Sequence, residues 1–191
     1  MSAKVDAIVI GGSAGALEAL AVILPTLPAQ FPVPVAVVLH VPPTRRSLLV
    51  DVLGARSAIP VVEVDDKQPF ATGTLYVAPA NYHLLVERTR TFALSVDPPV
   101  QYSRPSIDVL FESAADAYGP RLGAVLLSGA NDDGAAGLAR IREAGGLVAV
   151  QDPSTATSGE MPTAAIRLGL ADRVLSPAAL GTFLLHLGGH V

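Results

Sequence analysis

The sequence predicts an α/β protein: a three-layer α/β/α, doubly wound fold with a mainly parallel sheet and an antiparallel hairpin edge. Three observations carry this. Short Val/Ile/Leu-rich runs alternate with segments of helical spacing along most of the 191 residues, the pattern of repeated βαβ units. Many of those runs are continuously apolar, as strands covered on both faces are. Half of the residues are apolar and 16% are charged, which suits one heavily buried core. Residues 1–191 are therefore expected to form a single domain.

The elements follow in order. Residues 5–10 (VDAIVI) form a buried strand, and ALEALAVILPTLP is a helix ending near Pro25 or Pro28. Residues 34–40 (PVAVVLH) and 59–64 (IPVVEV) are two more strands. Residues 73–96 carry three short runs, GTLYVAP, YHLLVER and TFALSV, with tight connections. These read as antiparallel hairpins on one edge. Helical spacing returns over 105–119, with Pro105 and Ser106 suited to a first turn. LGAVLLSG, LVAVQD and ADRVLS then supply strands. DDGAAGLARIREAGG, MPTAAIRLG and PAALGTFLLHLGG supply helices, with Pro177 opening the last and Gly188 closing it.

Composition excludes several function classes. The net charge is −4, and the thirteen Lys and Arg are scattered, so no nucleic-acid partner is expected. Without cysteine there is no disulfide framework, thiol nucleophile or Cys-ligated metal. The four histidines are widely spaced except at the tail; no metal site is expected, and no cofactor. No apolar run approaches the ~18–20 residues of a membrane span, and the N-terminus lacks a signal-peptide pattern. A cytoplasmic protein without membrane insertion is expected.

The glycine-rich turn after the first strand reads Gly11-Gly12-Ser13-Ala14-Gly15. A dinucleotide site needs glycines at n, n+2 and n+5, and an acidic residue ending the second strand. Neither condition is met, because that strand ends in His40. A phosphate loop ending in Gly-Lys-Ser/Thr is also absent. Ser13 instead sits at a strand-to-helix junction, where the N–H groups of Ala14 and Gly15 can face an oxyanion. Gly12, Ala14 and Gly15 would let a substrate approach the backbone. Ser13 as a plain helix cap remains the alternative. His40 ends the neighbouring strand and would emerge at the same edge. Imidazoles ordinarily titrate near pH ~6.5 and can take up a proton near neutrality, so activity is expected to fall below about pH 6. Asp132 and Asp133 open another helix on that edge, and one of them could orient the histidine while the other caps.

Six segments, in this order, carry a resemblance: IGGSAG, LHVPP, LYVAPANYHLLV, PSIDVLFESAA, LLSGANDDGAAGL and GEMPTAAI. Together they resemble the catalytic domain of the chemotaxis protein-glutamate methylesterase (CheB) family, from about residue 5 to about residue 176. The resemblance implies a serine hydrolase that demethylates glutamate γ-methyl esters on chemoreceptors; many members also deamidate receptor glutamines. It implies Ser13 as nucleophile, His40 as base and Asp133 as the orienting carboxylate. Ala130, where the family often has methionine, would add an oxyanion N–H beside that of Ala14. Asn131 replaces a glycine there, at a position that could call for positive φ. Met161 is a candidate for the cleft or for the core. Methylated cytoplasmic helices of a chemoreceptor are the implied partner, with a receptor methyltransferase as a further candidate.

Family members typically carry an N-terminal receiver domain, and this chain begins four residues before its first strand. The chain is then either a fragment or a standalone form; a standalone form, without control by its own phosphorylation, is expected. Arg45 and Arg46 could face an acidic receptor helix, although solvated surface charge is the plainer reading. His83 is expected in a hairpin without a chemical role, and His186 and His190 in the terminal helix. Ser106, Ser128, Ser154 and Ser158 lack a strand-end setting with a paired base. Two other functions fit the same residues: a hydrolase of a different protein ester, and a catalytically inactive receptor-docking module.

Overall fold

A computed structural model of the protein describes residues 5–40 and 48–189. The chain first runs through β1 (Ala7–Gly12), α1 (Ala16–Ile23), β2 (Val35–Leu39), α2 (Leu49–Gly54), β3 (Val61–Glu63) and β4 (Leu75–Val77). A hairpin of β5 (His83–Val86) and β6 (Phe92–Ser95) follows, then α3 (Ile107–Tyr118), β7 (Leu122–Leu126) and α4 (Ala135–Glu143). β8 (Leu147–Gln151), α5 (Glu160–Arg167), β9 (Arg173–Leu175) and α6 (Pro177–Leu187) complete it.

Seven strands form one sheet in the order β3-β4-β2-β1-β7-β8-β9, and every pairing is parallel. β1 is central. The chain leaves it toward β2 on one side and later returns to β7 on the other, which creates a crevice at the carboxyl ends of these strands. β1 and β2 are buried along their whole length. Their side chains still alternate: Ala7 and Val9 join a core with α3, α4 and α5, while Ile8 and Ile10 join a core with α1 and α6. Two covered faces explain why these runs carry no polar alternation.

The antiparallel segment differs from the expectation. β4 lies inside the parallel sheet between β2 and β3. β5 and β6 pair antiparallel with each other as a separate two-stranded sheet. This hairpin covers a face of the domain: Leu84, Val86 and Phe92 are buried in the core that α3 shares. The Val86 N–H also donates to Ser113 Oγ on α3 at 3.1 Å. Phe92 packs on Phe70, ring centroids 4.7 Å apart. An antiparallel pair needs only one covered face, so its one apolar face decides where it goes.

Two helix ends follow local chemistry. α1 stops at Ile23 and gives way to a 3₁₀ turn, Leu24–Thr26, around Pro25. Ahead of α6, Ser176 Oγ accepts the Ala179 N–H at 3.4 Å, and Gly188 follows the last turn. The sequence does not predict α2, six residues that bury Leu49 and Leu53; so short a segment shows no helical period. Among the described residues, no helix is long and apolar enough to cross a membrane.

Candidate active site

The sheet register brings Ser13 and His40 together. Gly12 pairs with Leu39, so the next residues on the two strands, Ser13 and His40, leave the edge side by side. The His40 N–H donates to the Gly12 carbonyl at 3.2 Å, and the Ser13 N–H to the Ser128 carbonyl at 2.8 Å. Parallel strands lie about 4.8 Å apart, so both side chains enter one crevice, beside the loop that follows β7. Ser13 is half-buried and Ala14 exposed. Among the described residues, the Ser13 hydroxyl has no hydrogen bond to His40; such contacts are often long before substrate binds.

His40 Nε2 lies 2.7 Å from Asp133 Oδ2. Asp133 is 0% exposed, and four donors surround its carboxylate. Ser106 Oγ donates to Oδ1 at 2.9 Å, and the Asp108 N–H to the same oxygen at 3.0 Å. The Ile107 N–H donates to Oδ2 at 2.8 Å, beside the His40 Nε2–H. Three of these donors belong to the N-terminus of α3, whose positive end stabilises the charge. Burial pushes the Asp133 carboxyl up, but His40, the two amides and Ser106 outweigh it and hold the group below the usual aspartate value. An ionised Asp133 accepts from Nε2, which leaves the lone pair of His40 on Nδ1. Ser103 Oγ lies 3.4 Å from Nδ1.

The capping is crossed between two helices. Asp133 caps α3 and not α4, the helix it precedes. The α4 amides of Gly134 and Gly137 are instead accepted by Asp108 Oδ1 at 2.9 and 2.7 Å. Asp132, expected as a possible orienting group, is exposed, and its carbonyl accepts the Ala135 N–H at 3.1 Å. Burial and the neighbouring Asp133 charge push Asp108 up to about 6, against the two amide bonds. A carboxyl raised by folding binds more protons folded than unfolded, so its contribution to stability falls as pH rises from about 4 to about 6. Asp108→Asn keeps an acceptor for both amides and removes this ionisation. Urea midpoints of the variant are expected to gain on those of the wild type across that window.

The turn around Ser13 is built from small residues with distinct tasks. Gly15 has φ +84°, and an added Cβ would lie 2.5 Å from Thr157 Cβ and 2.6 Å from Ser128 Oγ. Gly15→Ala is expected to cost about 2–4 kcal/mol through left-handed strain and overpacking, measured as a lowered urea midpoint. Gly12 departs from its expected role: it is buried, and a Cβ there would meet Ala16 Cβ at 2.5 Å. Its lack of a side chain lets α1 pack against the sheet. Met161 is 1% exposed and belongs to the core. It backs Gly129, where a Cβ would meet Met161 Cε at 2.5 Å and Ser13 Cβ at 3.1 Å.

Ala130 is exposed, and the amides of Ala14, Gly15 and Ala130 have no acceptor among the described residues. Asn131 does not take up positive φ; its Oδ1 accepts the Asp133 N–H at 3.3 Å.

Sequence reasoning missed the residues that tie these loops together. Ser128 Oγ donates its one hydrogen to the Ala14 carbonyl at 2.6 Å, lies 3.0 Å from the Ser158 carbonyl, and accepts the Ser158 N–H at 2.9 Å. The Ser128 N–H donates to Gln151 Oε1 at 2.9 Å. Ser106 joins Asp133 in the same hidden way. Neither serine stands out without a view of the crevice; the signal available was a serine just past a buried strand or just before a helix. Arg45, Arg46 and His190 lie outside the described residues. Among the described residues, no group of three or more His, Cys, Asp or Glu is placed to hold a metal ion.

A serine, a histidine bound to a buried carboxylate, and amides meet at one strand edge, an arrangement chemically suited to acyl transfer. The chain belongs to the CheB methylesterase family, which matches residues 8–184. A protein of Leptospira interrogans, provisionally named a protein-glutamate methylesterase/protein-glutamine glutaminase, is 45% identical over 182 residues, which are 95% of this chain and 94% of that protein. The enzyme of that name from a Nocardioides strain is 43% identical over 184 residues, or 93% of this chain and 49% of the relative. The chain thus spans nearly the full length of the first relative and about half of the second. The crystal structure of the Thermotoga maritima CheB methylesterase catalytic domain superposes with a TM-score of 0.93 at 32% identity, covering 96% of this chain and 99% of that one. The fold class and the family expected from the sequence are both borne out.

Proposed function

We propose that residues 1–191 act as one catalytic domain, a protein-glutamate methylesterase of the cytoplasm, whose substrates are γ-methyl esters on the cytoplasmic helices of a chemoreceptor. Family membership over residues 8–184 supports the substrate class. The observation that carries the chemistry is the His40 Nε2···Asp133 contact of 2.7 Å, one register step from Ser13.

In this reading His40 Nδ1 takes the Ser13 proton as Oγ attacks the ester carbonyl. The resulting oxyanion is held by the N–H groups of Ala14 and Ala130, with the α1 N-terminus behind. His40 then gives the proton to the departing methoxide, and methanol leaves. Water attacks the acyl-enzyme with the same base, which releases the glutamate carboxylate and restores Ser13. Asp133 stays ionised and stabilises the imidazolium. The same steps with ammonia as leaving group account for glutamine deamidation, the second activity in the names of the relatives.

Methanol release from methylated chemoreceptor membranes tests the proposal. Release by the wild type above the uncatalysed rate is expected. Its absence, with a folded protein that still reacts with a serine-directed probe, would move the substrate to another protein ester. Absence of both would leave a docking module.

A further inference from the structure

His83, at the start of β5, takes no part in the steps above, yet it is 2% exposed and both of its ring nitrogens are engaged. Nε2 lies 3.1 Å from the Pro98 carbonyl. A carbonyl only accepts, so Nε2 carries the hydrogen. The Ser106 N–H donates to Nδ1 at 3.2 Å, so Nδ1 carries the lone pair. These two contacts are compatible with one form of the ring, the neutral Nε2–H tautomer. Ser106 is itself fully buried and donates its hydroxyl to Asp133 Oδ1 at 2.9 Å. The contacts form one chain from Pro98 through His83, Ser106 and Asp133 to His40.

We propose that His83 is a positioning residue for the active site: it grips the Ser106 backbone so that the hydroxyl and the first α3 amides aim at Asp133, which in turn sets the His40 ring. The inference rests on the catalytic reading of Ser13, His40 and Asp133. It gives the hairpin a task beyond covering α3. The residue before Ser106 is a proline and has no N–H of its own to anchor. The first amide after that proline is therefore the Ser106 N–H, which His83 accepts. Side chains that orient a functional group through a second hydrogen bond typically matter by about 10–100-fold.

The test measures the rate at which a fluorophosphonate labels Ser13, because this small probe reads the site without a receptor. Wild type, His83→Phe and His83→Asn are compared, with thermal unfolding followed for each. His83→Phe keeps an apolar ring and removes both hydrogen bonds; labelling is expected to slow by about 10–100-fold. The downfield proton resonance of His40 Nε2–H should shift or broaden with it. Asparagine places an acceptor near the position of Nδ1, so His83→Asn is expected to label within a few-fold of wild type.

A folded His83→Phe that labels at the wild-type rate overturns the proposal. So does a folded His83→Asn as slow as His83→Phe, which would assign the effect to packing. If the variants do not fold, imidazole ¹⁵N spectra of the wild type decide: the neutral Nε2–H tautomer is required for His83, and an Nδ1–H or doubly protonated ring overturns it. A wild type that never labels at Ser13 overturns the catalytic reading and this inference together. Loss of the His83 effect alone leaves the catalytic reading standing.

Discussion

Ser13→Ala is expected to lower methanol release by on the order of 10⁴-fold or more while leaving stability within about 0.5 kcal/mol. The two halves of this prediction have separate origins. The hydroxyl is the atom proposed to form the covalent intermediate, and alanine offers no oxygen in its place. Its burial is only partial, and among the described residues its hydroxyl holds no hydrogen bond to His40, so little folding energy leaves with it. Methanol release and urea midpoints measured on one preparation check both halves. Substantial turnover by a folded Ser13→Ala would remove Ser13 as nucleophile and point to direct attack by water.

Asp133→Asn should combine a large loss of rate with a loss of stability. The carboxylate oxygens accept from Ser106, Asp108, Ile107 and His40, whereas an amide has one oxygen and one donor group. If the NH₂ occupies the Oδ2 position, it meets the Ile107 N–H, and His40 must turn an unprotonated Nε2 toward it. That moves the ring hydrogen to Nδ1, the nitrogen proposed to act as base. If it occupies the Oδ1 position, it faces the Asp108 N–H. Either placement leaves a buried donor unpaired, at about 1–3 kcal/mol for each. Rates about 10³–10⁴-fold lower and a stability deficit of about 1–3 kcal/mol are expected.

The deficit depends on pH in a defined direction. Folding lowers the Asp133 value, so its stabilisation is complete above the ordinary aspartate pKa of ~3.9 and fades as pH falls through the lowered one. Urea midpoints of the two proteins should therefore converge in acid. A gap that widens in acid would mean that Asp133 is not the ionised partner. Asp108, whose value folding raises, has the opposite slope, so the two carboxyls can be told apart in one titration.

Much of the fold is legible because it is written in short-range patterns. β1 and β2 show as unbroken apolar runs, and the α1 boundary shows as a proline. Residues 73–96 divide between the parallel sheet and a separate hairpin, a division hidden from periodicity, which reports that a strand has an apolar face, not which neighbour covers it. β4 has three buried residues, Leu75–Val77, too few to separate a central parallel strand from an edge one. Among candidate site residues, the register that sets Ser13 beside His40 follows from consecutive strands pairing, a frequent outcome. Asp132 and Asp133 are chemically alike in sequence; the resemblance singled out Asp133, and the structure shows one exposed and the other buried among four donors.

The alternation of strands and helices, a serine just after the first strand, a histidine just after the second, and the family resemblance are all written in the chain. Those features depend on spacing and turn chemistry within about a dozen residues. What surrounds Asp133 is a product of long-range packing. Its partners come from residues 25 to 27 positions away along the chain and from His40, 93 positions away. A buried charge is tolerable only where enough donors converge on it. That convergence arises when α3, the loop after β7 and the end of β2 meet at one edge of the sheet.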